Sequence, residues 1–125
     1  NKCLIIDHIN ISKIPSYVYH ADALLLSLNN DLIFTKTVPA KLQSYLALGK
    51  PVIGSISGEG AKVIKKSKSG IVEDTSDFVK LANKILKLSK LNKKELIEIG
   101  GNGKDYYDRN FRIELRKKQL LDLFQ

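Results

Sequence analysis

Val38-Pro39-Ala40-Lys41-Leu42-Gln43-Ser44-Tyr45-Leu46-Ala47-Leu48-Gly49-Lys50-Pro51-Val52-Ile53 has the pattern of a helix with a marked start and stop that runs straight into a buried strand. Pro39 suits the first helical position, where its missing N–H costs nothing and its fixed φ is already helical. Leu42, Tyr45, Leu46 and Leu48 form an apolar face, and Gly49 ends the helix as its C-terminal cap. Pro51 forbids further helix, and Val52-Ile53 open an apolar run suited to a buried strand. A helix that enters a strand through so short a joint is half of a βαβ unit.

Lys41 is out of place in this scheme. It falls in the first turn, where unpaired N–H groups and the positive end of the helix dipole gather. A cation there costs ~0.3–1 kcal/mol unless an anion shares the site. Two readings stand: Lys41 leans into water, or Thr37, the free N–H groups and Lys41 together hold a phosphate.

Working outward, the pattern alternates strand and helix. Lys2-Cys3-Leu4-Ile5-Ile6 reads as a first strand, with Cys3 packed in it as a small hydrophobe. Pro15 opens a short helix over 16–21, and Ala23–Ser27 reads as the second strand. The segment Leu28–Thr37 is read as a loop from that strand to the helix at Val38. Ligands of open α/β sheets bind at such loops, outside the carboxyl ends of the strands.

The third strand is Pro51–Ser55, followed by Ser57-Gly58-Glu59-Gly60 and a helix over 61–66. Two glycines around one acid allow close backbone approach, but the spacing is not that of a dinucleotide fingerprint. Gly70–Glu73 reads as the fourth strand, and Asp74-Thr75-Ser76 as the cap of a helix over 77–88. That helix has an apolar stripe at Phe78, Leu81, Ile85 and Leu88 and a solvated lysine face at Lys80, Lys84 and Lys87.

Asn92 and Glu95 have capping-box spacing, so a helix follows from Lys93, frayed or bent at Gly100, Gly101 and Gly103. Asn110 starts a last helix over 112–124. The expectation is one α/β domain over 1–125, its end (111–125) a C-terminal helix. Its core is a partial doubly wound, Rossmann-like parallel sheet of about four strands with helices on both faces.

Composition narrows the function classes. The 125 residues hold one cysteine, so no intrachain disulfide forms, and no metal cage is expected. No apolar run is long enough for a membrane span, so a cytoplasmic setting is the default. The chain begins at Asn1 and has no methionine, which reads as a portion of a larger protein. Its net charge of +8 fits nucleic acid, anionic lipid or phosphorylated small molecules. His8 and His20 lack partner motifs and read as loop or structural residues. The aromatic residues fall mostly at apolar positions rather than interleaved with the lysines, which disfavours nucleic acid.

Val38-Pro39-Ala40-Lys41, then Ser44-Tyr45-Leu46-Ala47-Leu48-Gly49-Lys50-Pro51-Val52-Ile53, then Gly58-Glu59-Gly60-Ala61 resembles a known family. The order is similar to the C-terminal, donor-binding lobe of GT-B fold bacterial glycosyltransferases that build O-antigen or capsule repeats, including acetamido-sugar transferases. Gly70-Ile71-Val72 with Leu81-Ala82, and the run Gly101–Tyr106 with Phe111, resemble the later parts of that lobe.

The resemblance implies a nucleoside-diphosphate sugar, UDP-linked by preference, as ligand. Metal and cofactor are absent from what it implies, and the acceptor is a surface-polysaccharide precursor or a lipid-linked one. It implies an N-terminal lobe of the same protein as partner, peripheral contact with the inner membrane surface, and no nucleic acid. The donor-binding residues it implies are Thr37, Val38, Pro39, Lys41, Ser44, Gly58, Glu59 and Gly60, and it assigns no catalytic residue.

This sequence departs from the family's pattern in two ways. Lys36 and Ser44 stand where many relatives carry two glutamates; Ser44 can bond a ribose hydroxyl without a carboxylate's charge, and Glu59 is the alternative carboxylate. The family's first two strands and a basic pair fall outside this chain. The first strand is therefore expected to pair with Ala23–Ser27, to swap into a homodimer, or to remain an exposed edge.

Overall fold

The computed structural model describes residues 3–125. It is an α/β fold built on a three-stranded parallel sheet in the order β1-β2-β3. The strands are β1 (Leu24–Ser27), β2 (Val52–Ser55) and β3 (Gly70–Glu73). Leu24 lies opposite Val52, and Val52 opposite Gly70, so the three strands run in step.

A short 3-10 turn at Ile11–Lys13 leads into α1 (Ile14–Tyr19) ahead of β1. Two helices, α2 (Leu32–Lys36) and α3 (Ala40–Ala47), connect β1 to β2. One helix, α4 (Glu59–Ser67), connects β2 to β3. Helices α5 (Phe78–Leu88), α6 (Lys93–Asn110) and α7 (Ile113–Leu123) complete the chain.

The core sits where α3 and α4 close over one face of the sheet. Leu26, Val52 and Val72 project from the strands into Leu42 and Leu46 of α3 and Val63 and Ile64 of α4. These positions alternate along each strand, as the two-residue period of a β-strand requires. On the alternate positions Ile53 and Ile71 are half-buried, while Leu25 is 59% exposed. Helix α5 packs on β3 and β2, and Lys84 ties it there by donating to the Val72 carbonyl and pairing with Glu73. Lys84 therefore does not belong to a solvated lysine face. Phe78 does not belong to the packed stripe either, being exposed at the helix start while Leu88 is buried.

Several sequence expectations need correction. The strand expected at 2–6 is not present in its described part: Cys3 to Ile6 have no regular structure and are exposed, Cys3 included. Lys2 lies outside the described residues. Among the described residues the sheet thus has three strands rather than about four, and its alternate face is open at β1. A strand needs a paired edge to satisfy its backbone, and among the described residues nothing pairs with Cys3–Ile6.

Leu28–Thr37 is not all loop, since α2 occupies Leu32–Lys36. Pro39 is the residue before α3, with extended ψ, rather than its first helical residue. Asp77, not Asp74–Ser76, caps α5 by accepting from the Lys80 amide. Asn110 closes α6 instead of opening the last helix, which starts at Ile113.

The glycine-rich part of α6 is continuous helix. Its start carries the expected capping box, with Asn92 and Glu95 bonding each other's backbone amides. Gly100 and Gly103 are buried where α6 crosses α3. A Cβ on Gly100 would overlap the Gly49 carbonyl, and one on Gly103 would stand 3.0 Å from a Leu46 methyl. Their missing side chains let the two helices approach closely, which offsets the propensity cost. Gly49 itself has φ +68° just past α3, the left-handed cap expected there.

Candidate functional site at the carboxyl ends of the strands

The carboxyl ends of β1, β2 and β3 lead into Leu28–Asp31, Ile56–Gly58 and Asp74–Asp77. In an open parallel sheet this is the end where ligands bind. Three of its residues form a polar chain. The Ser57 hydroxyl lies 2.7 Å from the Asn30 amide oxygen, and the Asn30 nitrogen donates to Asp74 at 3.3 Å. Asp74 also accepts from the Ser76 amide and hydroxyl. An open cavity of about 320 Å³ lies beside this chain, lined in part by Ser57, Gly58, Lys62, Lys65, Glu73 and Asp74.

The Ser76 amide, the Ser76 hydroxyl and the Asn30 amide hold the Asp74 carboxyl below the ordinary aspartate range. These bonds favour the charged form, so the contribution of Asp74 to stability is present above the unfolded-state pKa. It is lost as pH falls through the lowered folded value. Asn30→Ala should raise the Asp74 pKa part of the way, because both Ser76 bonds remain. A carbon-detected carboxyl titration checks this, and an unchanged Asp74 midpoint in that variant would contradict it.

The start of α3 and the start of α4 meet near this end. A Cβ on Gly60 would lie 3.0 Å from Pro39 Cδ and 2.9 Å from the Ile56 side chain. Gly58 has φ +73° and ψ −145°, a region suited to glycine. A Cβ there would overlap the Thr35 carbonyl at the end of α2. Both glycines are thus accounted for by the packing of one connection against the other. Neither helix start receives a side-chain cap. The first intrahelical amides are those of Gln43 and Lys62, so the preceding amides in both helices have no helical acceptor.

The side chains expected at the site divide into those left free and those already used. Lys41 is exposed in the first turn of α3 and, among the described residues, forms no ion pair. The Thr37 hydroxyl donates back to Ile33 at 2.9 Å, so it does not cap α3. Val38 packs against the core. The Ser44 hydroxyl donates to Ala40 at 3.2 Å, one turn along the helix. Glu59 pairs with Lys62 at 2.6 Å. The structure therefore brings Pro39 and Gly60 together and sets Gly58 against Thr35, leaves Lys41 exposed in the first turn of α3, and turns the Thr37 and Ser44 hydroxyls to local carbonyls.

Sequence reasoning missed the Asn30–Ser57–Asp74 chain. Its signal was present in the position of these residues after three successive strands, but their pairing depends on the sheet register. His8 and His20 are exposed; His20 meets Tyr19 edge-on with ring centroids 5.2 Å apart. Among the described residues no three His, Cys, Asp or Glu side chains gather in a metal-binding group. Among the described residues no helix is long and apolar enough to cross a membrane.

The chain matches none of the protein-family models, none of the curated proteins and none of the solved structures with which it was compared.

Proposed function

We propose that this chain is the donor-binding portion of a glycosyltransferase that moves a sugar from a nucleoside diphosphate, UDP by preference, to a polysaccharide or lipid-linked acceptor. The observation that carries this reading is the meeting of two uncapped helix starts, at Pro39 and Gly60, with Lys41 exposed in the first turn of α3 and in no ion pair among the described residues. Unpaired amides, two positive dipole ends and a free ammonium make a place for a dianionic diphosphate. The same arrangement stabilises charge on a departing diphosphate without a metal. The resemblance of Val38–Ile53 and Gly58–Ala61 to a donor lobe supports the reading, since those two segments are the ones that meet.

In this proposal Lys41 and the amides at the starts of α3 and α4 hold the diphosphate, and the nucleoside extends toward the cavity beside Ser57 and Gly58. Glu59 pairs with Lys62 through one carboxylate oxygen in the exposed first turn of α4, and its other oxygen is the candidate acceptor for a ribose hydroxyl. The acceptor is held by another lobe of the same protein, so the isolated chain binds donor without turning it over.

Lys41→Ala tests the arrangement. It removes one charge-assisted bond, so UDP affinity should fall about tenfold, equivalent to ~1.4 kcal/mol. Ser44→Ala should change it less than twofold, because the Ser44 hydroxyl donates to the Ala40 carbonyl and offers the ligand only a neutral acceptor. Calorimetric titration of the two variants measures both. Equal losses in both would contradict the assignment, and no UDP binding by the wild-type chain would overturn the proposed function.

A further inference from the structure

β2, α4 and β3 form one parallel βαβ unit, and Asp74 is the first residue past the carboxyl end of β3. In nucleotide-binding units of this kind a phosphate rests at the start of the helix, and an acid at the end of the following strand accepts from the ribose 2′-hydroxyl. Gly58 and Gly60 lack the dinucleotide spacing, yet the helix start and the strand end keep the same relation.

The two oxygens of Asp74 are unequally used. Oδ1 accepts from the Ser76 amide at 3.0 Å, the Ser76 hydroxyl at 2.8 Å and the Asn30 side chain at 3.3 Å. Among the described residues Oδ2 accepts no hydrogen bond and Asp74 joins no ion pair. The bonds to Oδ1 orient the carboxylate and favour its charged form. The preceding acid, Glu73, is held by Lys84 of α5. Asp74 lines the cavity of about 320 Å³ with Ser57 and Gly58, whereas Glu59 does not.

We propose that Oδ2 of Asp74 accepts a hydrogen bond from the ribose 2′-hydroxyl of the nucleotide, so that Asp74 separates ribonucleotides from 2′-deoxyribonucleotides. The nucleoside reaches this cavity only if the two helix starts hold the diphosphate, so the assignment rests on the function proposed above. An ionised carboxylate accepts only, and its bond is stronger than that of a neutral hydroxyl. The other ribose hydroxyl is left to Glu59.

Calorimetric titration with UDP and with 2′-deoxy-UDP tests this on the wild-type chain and on Asp74→Asn, which keeps an oxygen for the bonds from Ser76 and Asn30. The wild-type chain should bind UDP about tenfold more tightly than 2′-deoxy-UDP. In Asp74→Asn this preference should fall to about threefold or less through weaker UDP binding. Asp77→Asn removes a nearby charge, keeps a helix cap and should leave the preference unchanged. A carboxylate acting through its charge alone repels the diphosphate, so its removal would tighten both nucleotides alike. That result, an unchanged preference in Asp74→Asn, or equal wild-type affinity for the two nucleotides would overturn the proposal while UDP binding, and with it the proposed function, stands. No UDP binding by the wild-type chain would overturn both. In the wild-type chain the Asp74 carboxyl carbon should shift on saturation with UDP and shift less with 2′-deoxy-UDP, a readout independent of how the variant folds; equal shifts would count against the proposal.

Discussion

Gly100→Ala is expected to destabilise the protein by about 3 kcal/mol, at the upper end of typical overpacking costs. The added methyl would overlap the Gly49 carbonyl, a backbone atom fixed by the αL turn after α3 and by the entry into β2 at Pro51. Neither side of the contact ends in a flexible side chain, so relief requires α6 to move away from α3. That movement opens the contact of Gly103 with Leu46, a fully buried core residue.

The neighbouring Gly101 is a control in the same helix. A Cβ there meets nothing within 4 Å, so Gly101→Ala should stabilise by ~0.5–1 kcal/mol through helix propensity alone. Urea unfolding of the two variants measures the difference, and similar midpoints would contradict the close crossing of α6 on α3.

The second large effect is at the site. Gly58→Ala should cost about 3 kcal/mol, from a left-handed backbone of ~1–3 kcal/mol together with the clash against Thr35. The variant should also disturb the chain around it. The α2–α3 connection must shift to admit the methyl, which carries Pro39 away from Gly60. Amide shifts should therefore spread over Thr35–Lys41 as well as the α4 start, and UDP binding should weaken with them. Shifts confined to Ser57–Glu59, with unchanged UDP affinity, would show that the two helix starts are not coupled.

How much of this was legible in the sequence follows from the range of the forces involved. The helix and strand of Val38–Ile53, the strand at Gly70–Glu73 and the capping box at Asn92 are set by residues within a few positions of each other. Local chemistry therefore fixes them. Leu4–Ile6 has the composition of a strand, but pairing is a long-range condition that composition cannot supply. The glycines of α6 oppose helix locally and permit it through the α3 contact, so propensity alone misreads them.

The same division holds at the site. The ill-placed cation at Lys41 and the two glycines flanking Glu59 can be seen in the sequence. The contact between their helices and the Asn30–Ser57–Asp74 chain come from the parallel register, whereas the bonds of Thr37 and Ser44 reach back only one helical turn.

The most direct test of the central claim is a heteronuclear NMR titration of the chain with UDP and a UDP-sugar, with a short DNA duplex in parallel. Saturable shifts at Ala40–Leu42 and Glu59–Ala61 with the nucleotides, requiring about tenfold more nucleotide in Lys41→Ala and absent with DNA, are the expected result. No nucleotide-dependent shift at either helix start, with salt-sensitive DNA shifts over the lysines instead, would contradict it.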